Sequence, residues 1–160
     1  MELVSEARKN FSAPGPYAVC IALDNARRRA LCVAENARLA PDVAPTAFED
    51  TPVRLYVGMV LLGCRNDRRM RFLNACETRV LAITAEGLEV SGGLVAWEEA
   101  RISFRLPHAV TIAASQSRTY AGRVLVCPGS RPGHTHRMLT PRHLNVACSR
   151  CTSSLLLCVE

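Results

Sequence analysis

Lysine is nearly missing from this 160-residue sequence: Lys9 is the only one, and every other member of its 20 basic residues is arginine. No Gly-x-x-x-x-Gly-Lys loop can be drawn through the remaining residues, and no Gly-x-Gly-x-x-Gly run follows an apolar segment. The phosphate cradles of ordinary nucleotide-dependent enzymes are therefore absent from the sequence. Aromatic residues are also scarce, at 5%, and few lie near the C-terminal arginines, which argues against a platform for stacking bases. No apolar run approaches the ~20 residues that a bilayer-crossing helix needs. The opening MELVSEARKN carries Glu2 and Glu6 without a long apolar stretch, so a secretory leader is not expected. An intracellular, reducing compartment is the expectation.

Acid is the most unevenly distributed commodity. Residues 1–99 hold 12 Lys and Arg against 13 Asp and Glu, a net −1, whereas residues 100–160 hold 8 Arg against Glu160 alone, a net +7. A block of one sign repels itself and is retained where something of the opposite sign is met. The expected partner is an anionic macromolecule, either RNA backbone in a large assembly or an acidic protein surface. Arg101, Arg105, Arg118, Arg123, Arg131, Arg137, Arg142 and Arg150 are the residues that would meet it. Guanidinium groups suit bidentate pairing with phosphate or carboxylate.

What is present in quantity is apolar sequence, 49% of the chain against 21% charged, enough for a globular core in one domain. The eight cysteines at 20, 32, 64, 76, 127, 148, 151 and 158 sit largely inside apolar runs such as YAVCIAL and ALCVA, as small core residues do. After an irregular arm over 1–16, residues 17–23 and 29–35 read as a hairpin and 40–52 as a surface connection. Residues 53–64 read as a central strand. Short strands follow at 77–84, 87–93, 100–106, 109–115 and 120–127, with turn signals about every ten residues. That rhythm predicts a mainly β protein, a small antiparallel sandwich or partly open barrel with few or short helices. In ARISFRL, alternation would place Ile102, Phe104 and Leu106 inward and Arg101, Ser103 and Arg105 outward. Residues 140–160 read as ending in a strand, SLLLCVE, with a helix starting near Thr140 as the alternative.

The run PGSRPGHTHRMLTPRHLNVACSRC, 128–151, concentrates the remaining chemistry. Cys148 and Cys151 form a C-x-x-C that, with two of His134, His136 and His143, could complete a tetrahedral zinc site. His136 and His143 are the preferred pair. A redox reading of the same cysteines lacks the βαβ setting it needs. No Gly-x-Ser-x-Gly elbow occurs, and no carboxylate in the segment orients its histidines, so a hydrolytic triad finds no support. His108, between Pro107 and Ala109, reads as a turn residue. The prolines and glycines of 128–143 instead describe an exposed basic loop. The expectation is a non-catalytic binding or structural subunit without a cofactor, part of a larger complex, with a zinc-stapled interaction domain as one alternative.

A second alternative rests on likeness. The Arg65-Asn66-Asp67-Arg68-Arg69 element, followed by Glu89-Val90-Ser91-Gly92-Gly93-Leu94 and then ARISFRLP and YAGRVLV, resembles the PilZ family of small β-barrels that bind cyclic di-GMP. The resemblance covers roughly residues 65–127 and implies nucleotide binding by Arg65, Arg69 and Ser91. Glu89 stands where that family has Asp or Asn, and the Ser-to-Gly spacing is one residue short. The strand run RVLAITAEGLEVSGGLVAW is also similar in rhythm to pleckstrin-homology and phosphotyrosine-binding domains.

Overall fold

The computed structural model describes residues 19–48, 51–67, 73–116, 119–120, 123–127, 140–150, 152 and 154–157. In chain order its elements are β1 (Val19–Ala22), α1 (Asn25–Leu39), β2 (Thr46–Phe48), β3 (Thr51–Val53), β4 (Val60–Gly63), β5 (Glu77–Ile83), β6 (Gly87–Val90), β7 (Gly93–Ala96), α2 (Trp97–Ser103), β8 (Phe104–Arg105), β9 (Ala109–Thr111), α3 (Ile112–Ser115), β10 (Arg123–Cys127), α4 (Pro141–Cys148) and β11 (Ser154–Leu157). They fall into two compact units. The first joins Met1–Leu31 to His108–Glu160, and the second, Cys32–Pro107, is inserted between them in sequence.

The first unit is built on a four-stranded sheet of order β11-β10-β1-β9 in which every neighbouring pair is parallel. This overturns the expected antiparallel sandwich. The cause is visible residue by residue: Val19, Cys20, Ile21 and Ala22 are all buried, and so are Val124, Leu125, Val126 and Cys127. Strands covered on both faces need no polar alternation, and a continuous apolar run is what a parallel sheet requires. YAVCIAL and RVLVC therefore belong to a different sheet type from the one their β-rich rhythm implied. The segment 109–115 is not one strand either. β9 stops at Thr111, whose Oγ1 accepts the Ala114 amide at 3.2 Å and so starts α3.

The hairpin expected from 17–35 is a strand followed by a helix. Asp24 Oδ1 accepts the Arg27 amide at 2.6 Å, satisfying an orphan donor at the start of α1. Within α1 the buried residues are Arg28, Leu31, Cys32 and Asn36, a 3.6-residue stripe rather than an alternating one. Alanine, arginine and leucine make up ten of its 15 residues, all good helix formers.

The second unit carries an antiparallel sheet of order β7-β6-β5-β4-β8 and a separate β2-β3 hairpin. Phe48, Leu61, Leu62, Val80, Leu88, Val95, Phe104 and Leu106 form its core, each at most 2% exposed. Burying side chains of this size contributes about 1.5–3 kcal/mol apiece. Buried Asn36 closes the unit against its own helix: its Nδ2 donates to the Arg54 carbonyl at 3.0 Å, and its Oδ1 accepts the Arg54 amide at 2.8 Å. The expected strand over 53–64 is broken into β3 and β4 by a turn at Gly58, whose φ of 92° suits glycine. ARISFRL is likewise not a strand. Glu98 and Glu99 open α2, Ser103 is fully buried and Ile102 is 61% exposed, the reverse of the alternation expected there. Only Phe104 and Arg105 pair as strand, against Gly63 and Leu62.

Both alternatives for the C-terminal segment occur. Thr140 caps α4 and is reached by His143, its amide lying 3.3 Å from the ring Nδ1, and β11 follows beside β10. The expected arm over 1–16 and residues 128–139 of the expected loop lie outside the described residues. Residues 141–143 of that loop form the first turn of α4. Among the described residues no helix is long and apolar enough to cross a membrane.

Candidate functional site

Parallel sheets with helical crossovers gather ligands at the carboxyl ends of their strands, beside the place where strand order reverses. In the first unit that place is β1, with β9 on one side and β10 on the other, so the chain passes across β1 between them. The polar residues at this edge come from two turns. After β1, Asp24 and Asn25 open α1. After β9, Thr111 caps α3, buried Ser115 donates its hydroxyl to the Ile112 carbonyl at 2.7 Å, and exposed Gln116 follows the last turn. Thr111 and Ser115 thus use their hydroxyls to shape the turn, and Gln116 beyond it is exposed.

At the amino ends of β10 and β11 lies a second constellation. The Tyr120 amide donates to the Arg150 carbonyl at 2.7 Å, and the Thr152 amide donates to the Tyr120 carbonyl at 3.2 Å. This pattern continues the parallel register of Arg123 with Ser154 back by three residues. Arg150 is half-buried, and its guanidinium is oriented locally: Nε lies 3.3 Å from the Val146 carbonyl, and Nη2 donates to Ser149 Oγ at 2.8 Å. A guanidinium is a planar fork of donors that suits a carboxylate or phosphate.

The arginines singled out in the sequence are divided between the two units. Arg142, exposed, stands in the first turn of α4, and Arg150 lies beyond its last turn, in the first unit. Arg101, exposed on α2, and Arg105, half-buried on β8, belong to the second unit. Arg123 contributes backbone to β10. Arg118, Arg131 and Arg137 lie outside the described residues. Counted by unit, the first holds 11 Lys and Arg against 4 Asp and Glu, a net +7, and the second 9 against 10, a net −1. The charge asymmetry follows the fold, and Arg27, Arg28 and Arg29 at the start of α1 join the basic side of it.

The two alternatives fare as follows. Of the zinc set, His143 takes part in the cap of α4 and Cys148 is exposed at its other end, while His134, His136 and Cys151 lie outside the described residues. Among the described residues no group of three or more His, Cys, Asp and Glu is placed to hold a metal ion. For the cyclic-dinucleotide set, Arg65 follows β4 and is ion-paired with Glu99, and Ser91 sits in the β6–β7 turn on the far side of β5. Arg69 is outside the described residues. Glu99 also accepts the Ser103 hydroxyl at 3.0 Å, so the Arg65 side chain serves an internal network. Among the described residues no closed barrel is formed, which contradicts the barrel that the PilZ-like reading implied.

Sequence reasoning passed over Gln116, Tyr120 and Thr152. The signal for Gln116 was a polar turn following a continuous apolar strand. Nothing local marks Tyr120, because its partners come from the segment after α4.

No family model matches the sequence, and no curated protein matches it. Solved structures do. The chain superposes with a TM-score of 0.63 and 17% identity on a Pif1 helicase from Bacteroides in complex with ADP-AlF3 and single-stranded DNA, covering 99% of this chain and 44% of that one. A structure of two coordinating Pif1 helicases at forked double-stranded DNA gives 0.56 at 20% identity, over 87% of this chain and 38% of the other. Pif1 helicase from Candida albicans gives 0.54 at 11% identity, over 92% and 46%. The chain thus spans less than half the length of each. These likenesses contradict the expected non-catalytic structural subunit and its β-barrel setting: the fold is one found in Pif1 helicases, solved with ADP-AlF3 and single-stranded DNA. What the chain shares with these Pif1 helicases is their RecA-like fold, a parallel sheet with helices.

Proposed function

We propose that this chain forms a RecA-like part of a nucleic-acid motor, acting with nucleotide hydrolysis on single-stranded DNA. The observation that carries the proposal is the superposition of 99% of the chain on a Pif1 helicase that holds both ADP-AlF3 and single-stranded DNA. The net +7 of the first unit supports it, because sequence-independent attraction to a phosphate backbone needs such a charge. The scarcity of aromatic residues fits contact with backbone more than with bases.

The missing Gly-x-x-x-x-Gly-Lys assigns a division of labour. In such a motor the phosphate cradle comes from residues other than these 160, and this chain supplies the facing wall. Arg150 is the residue suited to the transferring phosphoryl group. A half-buried arginine, oriented by Val146 and Ser149 beside the sheet, stabilises charge on a transition state in the way arginines commonly do in phosphoryl transfer. Gln116, at the carboxyl edge of β9, is suited to a phosphate or sugar of the strand.

The test is binding of a fluorescently labelled oligo-dT, read by anisotropy at low and moderate salt, together with nucleotide hydrolysis by the protein with its phosphate-loop partner residues, with and without that oligonucleotide. Salt-sensitive binding and DNA-stimulated hydrolysis are expected. Failure to bind at the lowest salt, or capture of acidic proteins in preference to DNA, would overturn the reading.

A further inference from the structure

We infer that the second unit carries a docking site for an acidic, apolar peptide segment of another protein, formed by Arg101, Ile102 and Arg105 where α2 passes into β8. The described arginines of this unit fall into two groups. Arg38 is paired with Glu35, Arg54 with Asp42 and Arg65 with Glu99, while the Arg79 guanidinium donates to the Gly58 carbonyl. Arg101 and Arg105 are the two among them whose side chains have no hydrogen-bond or ion-pair partner. Arg101 lies in the last turn of α2 and Arg105 ends β8, so both stand at the same junction of the chain.

Arg105 is the more telling of the two. It pairs with Leu62 of β4, so its stem lies on the face of that buried leucine. An arginine that only covers an apolar neighbour keeps its charged head in water. Here the head is partly sunk: Nε is shut off from solvent with nothing to accept its proton, and the terminal nitrogens are the open part of the group. Burying part of a charge without a counter-charge is unfavourable, and an anion seated on those terminal nitrogens supplies one. The neighbourhood selects the anion. Ile102 is 61% exposed, and every large apolar side chain left exposed among the described residues belongs to the second unit. A phosphate backbone is drawn by an excess of cations, and this unit, with nine basic against ten acidic residues, offers it none. Two guanidinium groups beside an exposed isoleucine instead fit a ligand that alternates carboxylates with apolar side chains. The charge pairs would set its orientation, and the apolar contact would add affinity. The site belongs to the second unit by itself, so the inference stands apart from the motor reading.

The probe is a fluorescein-labelled peptide alternating aspartate and leucine, titrated into the whole protein and followed by anisotropy, with an all-aspartate peptide of equal length and oligo-dT as comparisons. Saturable binding of the alternating peptide is expected, weaker than that of oligo-dT and undiminished when oligo-dT is already bound. Arg105→Met, which keeps a stem over Leu62 and removes the charge, should weaken the peptide about tenfold, and Arg101→Ala and Ile102→Ser about threefold each. Arg79→Ala, whose guanidinium is already engaged, should leave peptide binding unchanged. Equal affinity for the all-aspartate peptide, or an Arg105→Met protein that binds like wild type, would overturn the inference. Displacement of the peptide by oligo-dT, together with weakened oligo-dT binding in Arg105→Met, would overturn it too, by making the site a nucleic-acid contact. Should Arg105→Met fail to fold, the Arg101→Ala/Ile102→Ser double variant decides: a loss of about tenfold is expected, and undiminished binding would sink the idea. Peptide binding needs neither nucleotide nor DNA, so its failure and the failure of the motor reading are told apart.

Discussion

Single residues decide several local conformations here, and two of them make predictions of opposite sign. Where β4 meets β5, the Gly63 amide donates to the Cys76 carbonyl at 2.9 Å while the Ala75 amide donates to the Gly63 carbonyl at 2.8 Å, so two residues oppose one in a β-bulge. Ala75 takes the left-handed conformation, φ 64°, that a bulge of this type usually gives to glycine. Ala75→Gly is expected to relieve about 1 kcal/mol of that strain, partly offset by added freedom in the unfolded chain. A melting temperature higher by about 1–2 °C would show it. Gly63→Ala goes the other way, because its Cβ would overlap the Leu73 carbonyl oxygen, which is backbone and cannot swing aside. Asn36→Ala strands the amide and carbonyl of Arg54 and should cost roughly 2 kcal/mol by urea denaturation. None of these three is legible in the sequence: each depends on a partner 10 to 18 positions away, and an asparagine inside a helix or an alanine in a turn carries no mark of it.

At the level of elements, legibility followed the kind of signal each segment carried. The strands β5, β6 and β10 stand where β-branched runs between turn residues placed them. α1 was misread because YAVCIAL and RALCVAE look like two arms of a hairpin, while the burial stripe of Arg28, Leu31, Cys32 and Asn36 shows its helical period only once the core is known. α2 hid in the same way behind an apparent alternation in ARISFRL. The cap at Asp24 was readable chemistry, and it sets the start of α1. Asp24→Ala should lower stability by about 1 kcal/mol, whereas Asp24→Ser should restore most of it, both measured by circular dichroism during thermal unfolding. The parallel sheet was the costliest misreading. A continuous apolar strand such as VCIA marks β structure, and its lack of alternation marks a strand covered on both faces, as in a parallel sheet.

For the whole molecule, charge and topology divide the work. The sequence placed the basic excess in residues 100–160; the fold reassigns it to the first unit, adding Arg27, Arg28 and Arg29 and releasing Arg101 and Arg105 to a second unit near neutrality. If DNA is held by the first unit, Arg142→Ala should reduce the slope of log affinity against log salt by about 0.7, one phosphate contact on a single strand. Arg79→Ala, in the second unit with its guanidinium on the Gly58 carbonyl, should leave that slope unchanged. The insertion of Cys32–Pro107 between adjacent parallel strands also has a temporal side. β1 and β9 must find each other across everything that separates Ala22 from Ala109, and closing so long a loop slows pairing unless the intervening chain has already condensed. The inserted unit therefore behaves as a clasp that shortens the path, and its folding should come first. Trp97, the sole tryptophan, sits within it with its indole N–H on the Thr84 carbonyl, so its fluorescence should recover on refolding before the parallel sheet is assembled.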